Sequence, residues 1–252
     1  MEASSSFWDL PFFFSVFVLV YFAGYFIVFR NWSPETRSEA SSCLISFLHG
    51  TSAAVLPPRA IVSDCGGVFF SGCNTPSQIT VLDFSSAYFF ADLLHLAASS
   101  AAGDALFAAH HVAVLFVFLT CRFLVGQGAC GILALLALAE ATSACQNTWA
   151  LTAAAAVARG TDAPLAMRLR RRVEFPFYAT YSVCRGVLGP VVVYKMTSFY
   201  VSGAADDVIP RWVWVSWIVV IVAAHSVSIL WIRNLWIQFF NDRYPTSGKK
   251  TN

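Results

Sequence analysis

The sequence of 252 residues is too apolar for a water-soluble protein, since 58% of its residues are hydrophobic types and 12% are charged. Soluble domains carry roughly 25% charged residues, so this chain cannot cover an aqueous surface. A formal net charge of +2, with no basic run interleaved with aromatics, argues against a nucleic-acid partner. Long runs of Leu, Val, Phe and Ala differ from the alternating pattern of a membrane β-barrel. The composition therefore predicts an all-α, polytopic transmembrane helical bundle.

Apolar runs of the length that a helix needs to cross a bilayer, about 20 residues, recur along the chain. The second and third of these runs are short and carry Ser, His and Asp. The fifth is longer than one crossing and fits either one tilted helix or two short pieces. The sequence predicts about seven spanning helices, at residues 10–29, 43–56, 84–99, 105–124, 130–157, 177–200 and 212–232.

The charge between the predicted helices indicates their orientation, because cytosolic loops are rich in Lys and Arg. Residues 159–174 hold five arginines, whereas the next loop is acidic, with Asp206 and Asp207. Seven crossings then place the N-terminus in the lumen and the C-terminus in the cytosol. We expect a lumenal N-terminus with the first helix, then a transmembrane domain, then a cytosolic tail, over residues 1–35, 36–240 and 241–252.

The C-terminal sequence KKTN carries a lysine pair that resembles the dilysine signal for return of membrane proteins to the endoplasmic reticulum. Coat proteins read that signal on a cytosolic tail, which is where the charge rule places Lys249 and Lys250. Together, the two inferences predict a multi-pass protein of the endoplasmic reticulum membrane, with coat proteins as a partner of its tail.

Two of the seven cysteines, Cys65 and Cys73, fall in the predicted lumenal loop between the second and third helices. An oxidising lumen permits a disulfide, and a loop of this length closes easily. The two residues are therefore expected to form either a disulfide or two free thiols. The Cys and His residues show no spacing typical of a zinc site, so neither a metal nor a cofactor is expected.

Polar and ionisable side chains concentrate in the middle of the predicted bundle. A charged group at the bilayer centre costs about 2.5–3.5 kcal/mol, so such groups usually face a bundle interior or a wet cavity. One interpretation is that they hydrogen-bond across helices and fix the packing. The other is a functional site, in which a histidine paired with a carboxylate acts as general acid–base on a bound lipid. The residues concerned are Asp92, His95, His110, His111, Glu140 and Asn147.

Three further residues are secondary candidates by their positions, and Trp149 is a fourth. His49 lies at the centre of a short helix, where it either joins the polar residues or serves as a structural histidine. Gln146 flanks the stripe that Glu140 and Asn147 form at helical spacing. Arg185 begins a stretch with Gly and Pro that favours a kink, and it can pair with a carboxylate or a lipid phosphate.

Five sequence motifs occur in order along the chain: FLHG, AYFFADLLHL, HHVAVLF, AEATSACQNTWAL and FYATYSVCRGVLGP. This ordered set resembles the TLC-domain family of multi-pass membrane proteins, which includes the ceramide synthases and several lipid-homeostasis proteins. The resemblance implies a TLC-type helix bundle around a central cavity that is open to the membrane. The matching positions are Ser46, His49, Asp92, His110, His111, Glu140, Asn147 and Trp149.

The chain departs from the ceramide synthases in one element. Those enzymes follow the double-histidine helix with an H-D-x-x-D type motif, whereas this chain has EATSACQN there and no H-D-x-x-D. Acyl-CoA-dependent ceramide synthesis is therefore not carried over. The resemblance is to the branch of the family that consists of a TLC domain only.

The resemblance implies a lipid-homeostasis protein that binds or senses an acyl lipid or sphingolipid in the cavity and affects membrane composition or trafficking. The alternative is a lipid-modifying acyltransferase, with His110 or His111 as the base and Asp92 or Glu140 as the orienting carboxylate. Transport of a small solute is a third interpretation, which neither an inverted repeat nor a pair of broken helices supports.

Overall fold

The computed structural model describes residues 8–65, 68–98, 104–159 and 164–243. Within these ranges the chain is helical apart from turns, short loops and one isolated bridge between Cys73 and Gln127. The helices are α1 (Asp9–Ala23), α2 (Pro34–Ala53), α3 (Leu56–Asp64), α4 (Pro76–Ala98), α5 (Asp104–Leu119), α6 (Ala129–Glu140), α7 (Ser143–Arg159), α8 (Pro164–Val183), α9 (Gly189–Val201) and α10 (Arg211–Arg243). Helices α1, α5 and α8 continue into the π-helical segments Gly24–Val28, Thr120–Val125 and Cys184–Leu188.

Short turns join α2 to α3 and α6 to α7, and the last π-helical turn joins α8 to α9, so the described helices form seven segments. Six of them are long and apolar enough to cross a membrane, which confirms the prediction of a polytopic helical bundle. The remaining segment, α8 to α9, is less apolar because it contains Arg185 and four arginines between positions 168 and 172. The orientation of the termini stays a prediction.

Several predicted segments are shorter than the observed helices: α4 begins at Pro76, the segment from α8 to α9 begins at Pro164, and α10 extends to Arg243. The second segment is also longer than predicted, because α2 begins at Pro34. Ser33 caps it: the Ser33 hydroxyl oxygen accepts a hydrogen bond of 3.4 Å from the backbone N–H of Thr36. The proline occupies the first turn, where its missing N–H is not needed. The fifth segment consists of two helices, α6 and α7, separated by a turn at residues 141–142.

The packing places α2 and α4 near the middle of the bundle. Helix α1 packs against both of them, while α2 also contacts α7 and α4 also contacts α5. Helix α6 packs against α3 and α9, α7 lies against α8, and α10 contacts α5, α8 and α9. The core contains fully buried side chains such as Phe17, Leu82, Leu133, Met196 and Trp217. Helix α10 thus closes a space whose other walls are α5, α6 and the π-helical turn after α8.

One disulfide joins Cys65 to Cys130, with Cα atoms 6.2 Å apart and a sequence separation of 65. The sequence left two alternatives, a disulfide between Cys65 and Cys73 or two free thiols, and the structure shows neither of them for Cys65. Because α3 packs against α6, the residue that follows α3 meets the first turn of α6. Cys73 is a free and exposed thiol. Proximity in sequence favoured Cys73, but the packing of two distant helices decides the pairing.

The proposed retrieval signal, Lys249 and Lys250, lies outside the described residues, because α10 is described only to Arg243. The divisions after residues 35 and 240 stay predictions. The location in the endoplasmic reticulum stays a prediction as well.

Candidate functional site

Asp92 of α4 and His111 of α5 form a buried pair between helices. Asp92 Oδ2 lies 2.9 Å from His111 Nε2, and Ser42 of α2 donates a hydrogen bond of 2.6 Å to Asp92 Oδ1. His111 Nδ1 lies 2.8 Å from the carbonyl oxygen of Phe107. Since a carbonyl only accepts, Nδ1 carries a hydrogen, and one further proton is shared between Nε2 and the carboxylate. Together with Ser42, the pair links α2, α4 and α5.

The neighbouring His110 points in a different direction, because adjacent residues on a helix lie about 100° apart. Its imidazole is exposed and lines two adjoining cavities between α5 and α10. The larger cavity has a volume of about 380 Å³ and the smaller cavity about 120 Å³, and together they are called the cleft. Of these two histidines, only His110 is among the residues that line the cleft.

The cleft is apolar along most of its length and opens at the outer surface of the bundle. The two cavities share the side chains of His110, Arg185, Val220, Ala224 and Ser228. Other residues of the larger cavity, such as Phe107, Val219 and Val227, are exposed on the outside of α5 and α10. In a spanning bundle this surface faces lipid, so the cleft opens toward the bilayer.

Arg185 brings a positive charge to the cleft. It lies in the π-helical turn Cys184–Leu188, and turns of this kind are rare but frequent at functional sites. Its Nη2 donates to the carbonyl oxygen of Ala139 at 2.9 Å, and its Nη1 donates to Ser228 Oγ at 3.5 Å. Nε has no hydrogen-bond partner within the described residues, and no described carboxylate forms an ion pair with the guanidinium.

The residues of the predicted polar stripe, at the junction of α6 and α7, lie in two different environments. Glu140 lines the smaller cavity and accepts a hydrogen bond from Ser143. Gln146 lines the larger cavity. Asn147 is buried, and its side-chain amide donates to the carbonyl oxygen of Ser143 at 3.0 Å, within its own helix. Glu140 and Gln146 thus face the cleft, whereas Asn147 satisfies the backbone of α7.

His95 belongs to a different polar cluster, between α1, α2 and α4. Its Nδ1 lies 3.2 Å from Tyr21 Oη and 3.3 Å from Ser38 Oγ. The spacing of Asp92 and His95 predicts a shared helix face, but Asp92 contacts α2 and α5 while His95 contacts α1 and α2. The structure therefore does not bring His95 to the cleft.

His49 is buried among aromatic side chains. Its ring stacks on Tyr88 with centroids 4.1 Å apart, and Phe17 and Phe84 also contact it. Neither ring nitrogen has a hydrogen-bond partner in the part of the chain that is described. His49 thus packs in this structure as an aromatic core residue.

The last candidate, Trp149, packs beneath the guanidinium of Arg170, whose Cζ lies 3.8 Å from the ring centroid. Two residues of α10 that were not predicted as site residues, His225 and Ser228, line the smaller cavity. A signal for them exists in the sequence, because polar residues three positions apart in an apolar span lie on one helix face. Tyr181, which lines the larger cavity, has no such signal.

Comparison with known proteins adds two findings. The family profile described as the TLC domain matches residues 2–237, a range that includes every helix from α1 to most of α10. A protein of Arabidopsis thaliana named TLC domain-containing protein is 55% identical over 235 residues, which cover 93% of this chain and 91% of that relative. No solved structure matches the chain.

Proposed function

This chain belongs to the TLC-domain family, and from that premise we propose that it binds an acyl lipid or sphingolipid in the cleft and contributes to membrane lipid homeostasis. Binding or sensing of that lipid would affect membrane composition or trafficking. The lysine pair in the C-terminal tail favours the endoplasmic reticulum as the location. The observation that carries the proposal is an apolar cleft whose residues Phe107 and Val219 are also exposed where bilayer lipid lies.

The size and the lining of the cleft both suit a lipid. The larger cavity, at about 380 Å³, falls in the range of roughly 300–1,000 Å³ that small-molecule sites occupy. An acyl chain that moves from the bilayer into the cleft exchanges one apolar environment for another, so it gains little hydrophobic free energy. Selectivity then rests on the polar lining, which includes His110, Gln146, Arg185 and Ser228.

Filling the cleft with a large side chain tests the proposal. Ala224 lines both cavities, so Ala224→Trp is expected to reduce labelling of the purified protein by a photoactivatable acyl lipid about tenfold, by occupying the volume of the ligand. Val215→Trp on the same helix is the matched control, because Val215 is exposed outside the cleft. Equal labelling of wild type and Ala224→Trp would contradict binding in the cleft.

The alternative function is a membrane acyltransferase that uses His110. The observation that favours it is an imidazole exposed in the cleft, while His111 is occupied by Asp92 and Phe107. In such a reaction His110 would accept the proton of an acceptor hydroxyl or amine as it attacks an acyl thioester, and would pass that proton to the leaving thiolate.

An acyl-transfer assay separates the two functions. If the protein is an acyltransferase, purified wild type transfers acyl groups from acyl-CoA, and His110→Ala lowers the rate roughly 100-fold or more. His111→Ala is the comparison, since its loss acts through the helix packing and also lowers thermal stability. Absence of turnover across a panel of amine and alcohol acceptors would exclude the enzyme and leave lipid binding as the function.

A further inference from the structure

We propose that the cleft selects acyl lipids whose headgroup carries one anionic oxygen group, and that the Arg185 guanidinium binds that group. The inference rests on the proposed function and names the ligand class for the same site. A fatty-acid carboxylate and a phospholipid phosphodiester both present this chemistry. Neutral lipids such as ceramide or diacylglycerol do not.

Two arginines of the bundle, Arg122 and Arg185, lie in π-helical segments. Their side chains have different kinds of partner. Arg122, in the segment after α5, forms an ion pair with Asp83, with Nε 3.1 Å from Oδ1. Arg185 donates only to a carbonyl and to a hydroxyl, and both of those acceptors are neutral. A cation within a membrane bundle is expected to face a counter-charge. The chain supplies an ion-paired carboxylate for Arg122. Among the described residues Arg185 has none, and its Cζ lies 5.1 Å from the ring centroid of Tyr181.

The polar lining of the larger cavity suits an anion. The described residues around it include no Asp or Glu, whereas Arg185, Gln146 and His110 offer hydrogen-bond donors. The one carboxylate of the cleft, Glu140, lines the smaller cavity and accepts a hydrogen bond from Ser143. An anionic headgroup in the larger cavity therefore meets a guanidinium that has no ion-pair partner among the described residues, in a cavity with no lining carboxylate.

One guanidinium compensates one negative charge, which is why the inference specifies a singly charged headgroup. Guanidinium binds carboxylates and phosphates through charge-assisted hydrogen bonds that are shorter and stronger than neutral ones. The remaining wall of the larger cavity is apolar, with Leu106, Val219 and Trp231 among its residues, and accommodates an acyl chain. A hydroxyl headgroup of the same size would leave the half-buried charge of Arg185 without an anionic partner.

The test uses the purified full-length chain in a non-ionic maltoside detergent, which carries no anionic group, with two photoactivatable probes, palmitate and the matching uncharged fatty alcohol. Wild type is expected to be labelled by palmitate about tenfold more than by the alcohol, and Arg185→Gln is expected to abolish that preference. Arg185→Lys retains the charge and should keep most of the preference. Arg233→Gln removes an exposed arginine of α10 outside the cleft, and should leave the preference unchanged.

The readout is the ratio of the two probes in one sample, so it does not depend on how much of a variant is folded. Competition with unlabelled oleate or phosphatidylglycerol then distinguishes a fatty acid from a phospholipid as the source of the anion. Equal labelling by both probes in wild type, unchanged in Arg185→Gln, would overturn the anion selectivity while leaving lipid binding intact. Failure of both probes to label any form would contradict the proposed function itself.

Discussion

Asp92 and His111 depend on each other, because both are buried and each provides the other's ion-pair partner. His110, one residue away, does not belong to a buried pair and is exposed in the cleft. Removal of one partner from a buried pair leaves the other unsatisfied, which is more costly than removal of both. The two adjacent histidines are therefore expected to have separable effects, His111 on stability and His110 on the proposed binding of lipid.

Truncation of the pair gives the first prediction. Asp92→Ala and His111→Ala are each expected to lower the free energy of unfolding by about 1–3 kcal/mol, and the double variant by less than the sum. His110→Ala should leave thermal unfolding in detergent nearly unchanged and reduce lipid labelling instead. Strictly additive losses in the double variant would show that the two side chains do not interact.

The helix faces are predictable from the sequence, but the neighbours of each face are not. Helical spacing correctly places Asp92 on a polar face, yet it cannot tell that α1 meets that face at His95. The apolar runs predict the helical bundle because they reflect burial in lipid, which is a local property. The cleft depends on α5 and α10, which are far apart in sequence, and so Ser228 could not be assigned to it.

Helices α2 and α7 approach each other closely at Gly50. A Cβ atom there would collide with Ser143, and it would lie 2.8 Å from the Glu140 carboxylate. Any larger residue must therefore separate α2 from the start of α7 and disturb the hydrogen bond between Ser143 and Glu140. Glycine is needed at position 50 because the two helices approach each other closely there. Its backbone conformation is ordinary α-helix and does not by itself require glycine.

Substitution at this contact gives the second prediction. Gly50→Val is expected to lower the free energy of unfolding by about 1–3 kcal/mol, because the packed neighbours have to move. Thr51→Val, at the adjacent exposed position, is the matched control and should change it much less. Thermal unfolding in detergent measures both variants, and an equal effect of the two would contradict the close contact at Gly50.

The Cys65–Cys130 disulfide stabilises the molecule as a whole by joining the end of α3 to the start of α6. Cys65→Ser, Cys130→Ser and the double variant are expected to lose the same stability, about 2–5 kcal/mol, because each removes the same covalent link. Cys73→Ser should have little effect, since Cys73 is exposed and free. Melting temperatures with and without reductant check this third prediction, and a loss of stability in Cys73→Ser comparable with that of Cys65→Ser would contradict the pairing.

The same disulfide imposes an order on the biosynthesis of the chain. Cys73 leaves the ribosome soon after Cys65, long before Cys130 has been translated. During that interval the nearer thiol is the partner that closes the shorter loop, and a shorter loop loses less chain entropy. An early bond between Cys65 and Cys73 would then have to be exchanged by thiolate attack once α6 packs against α3. Helix assembly, rather than the first encounter of two thiols, therefore selects the native bond.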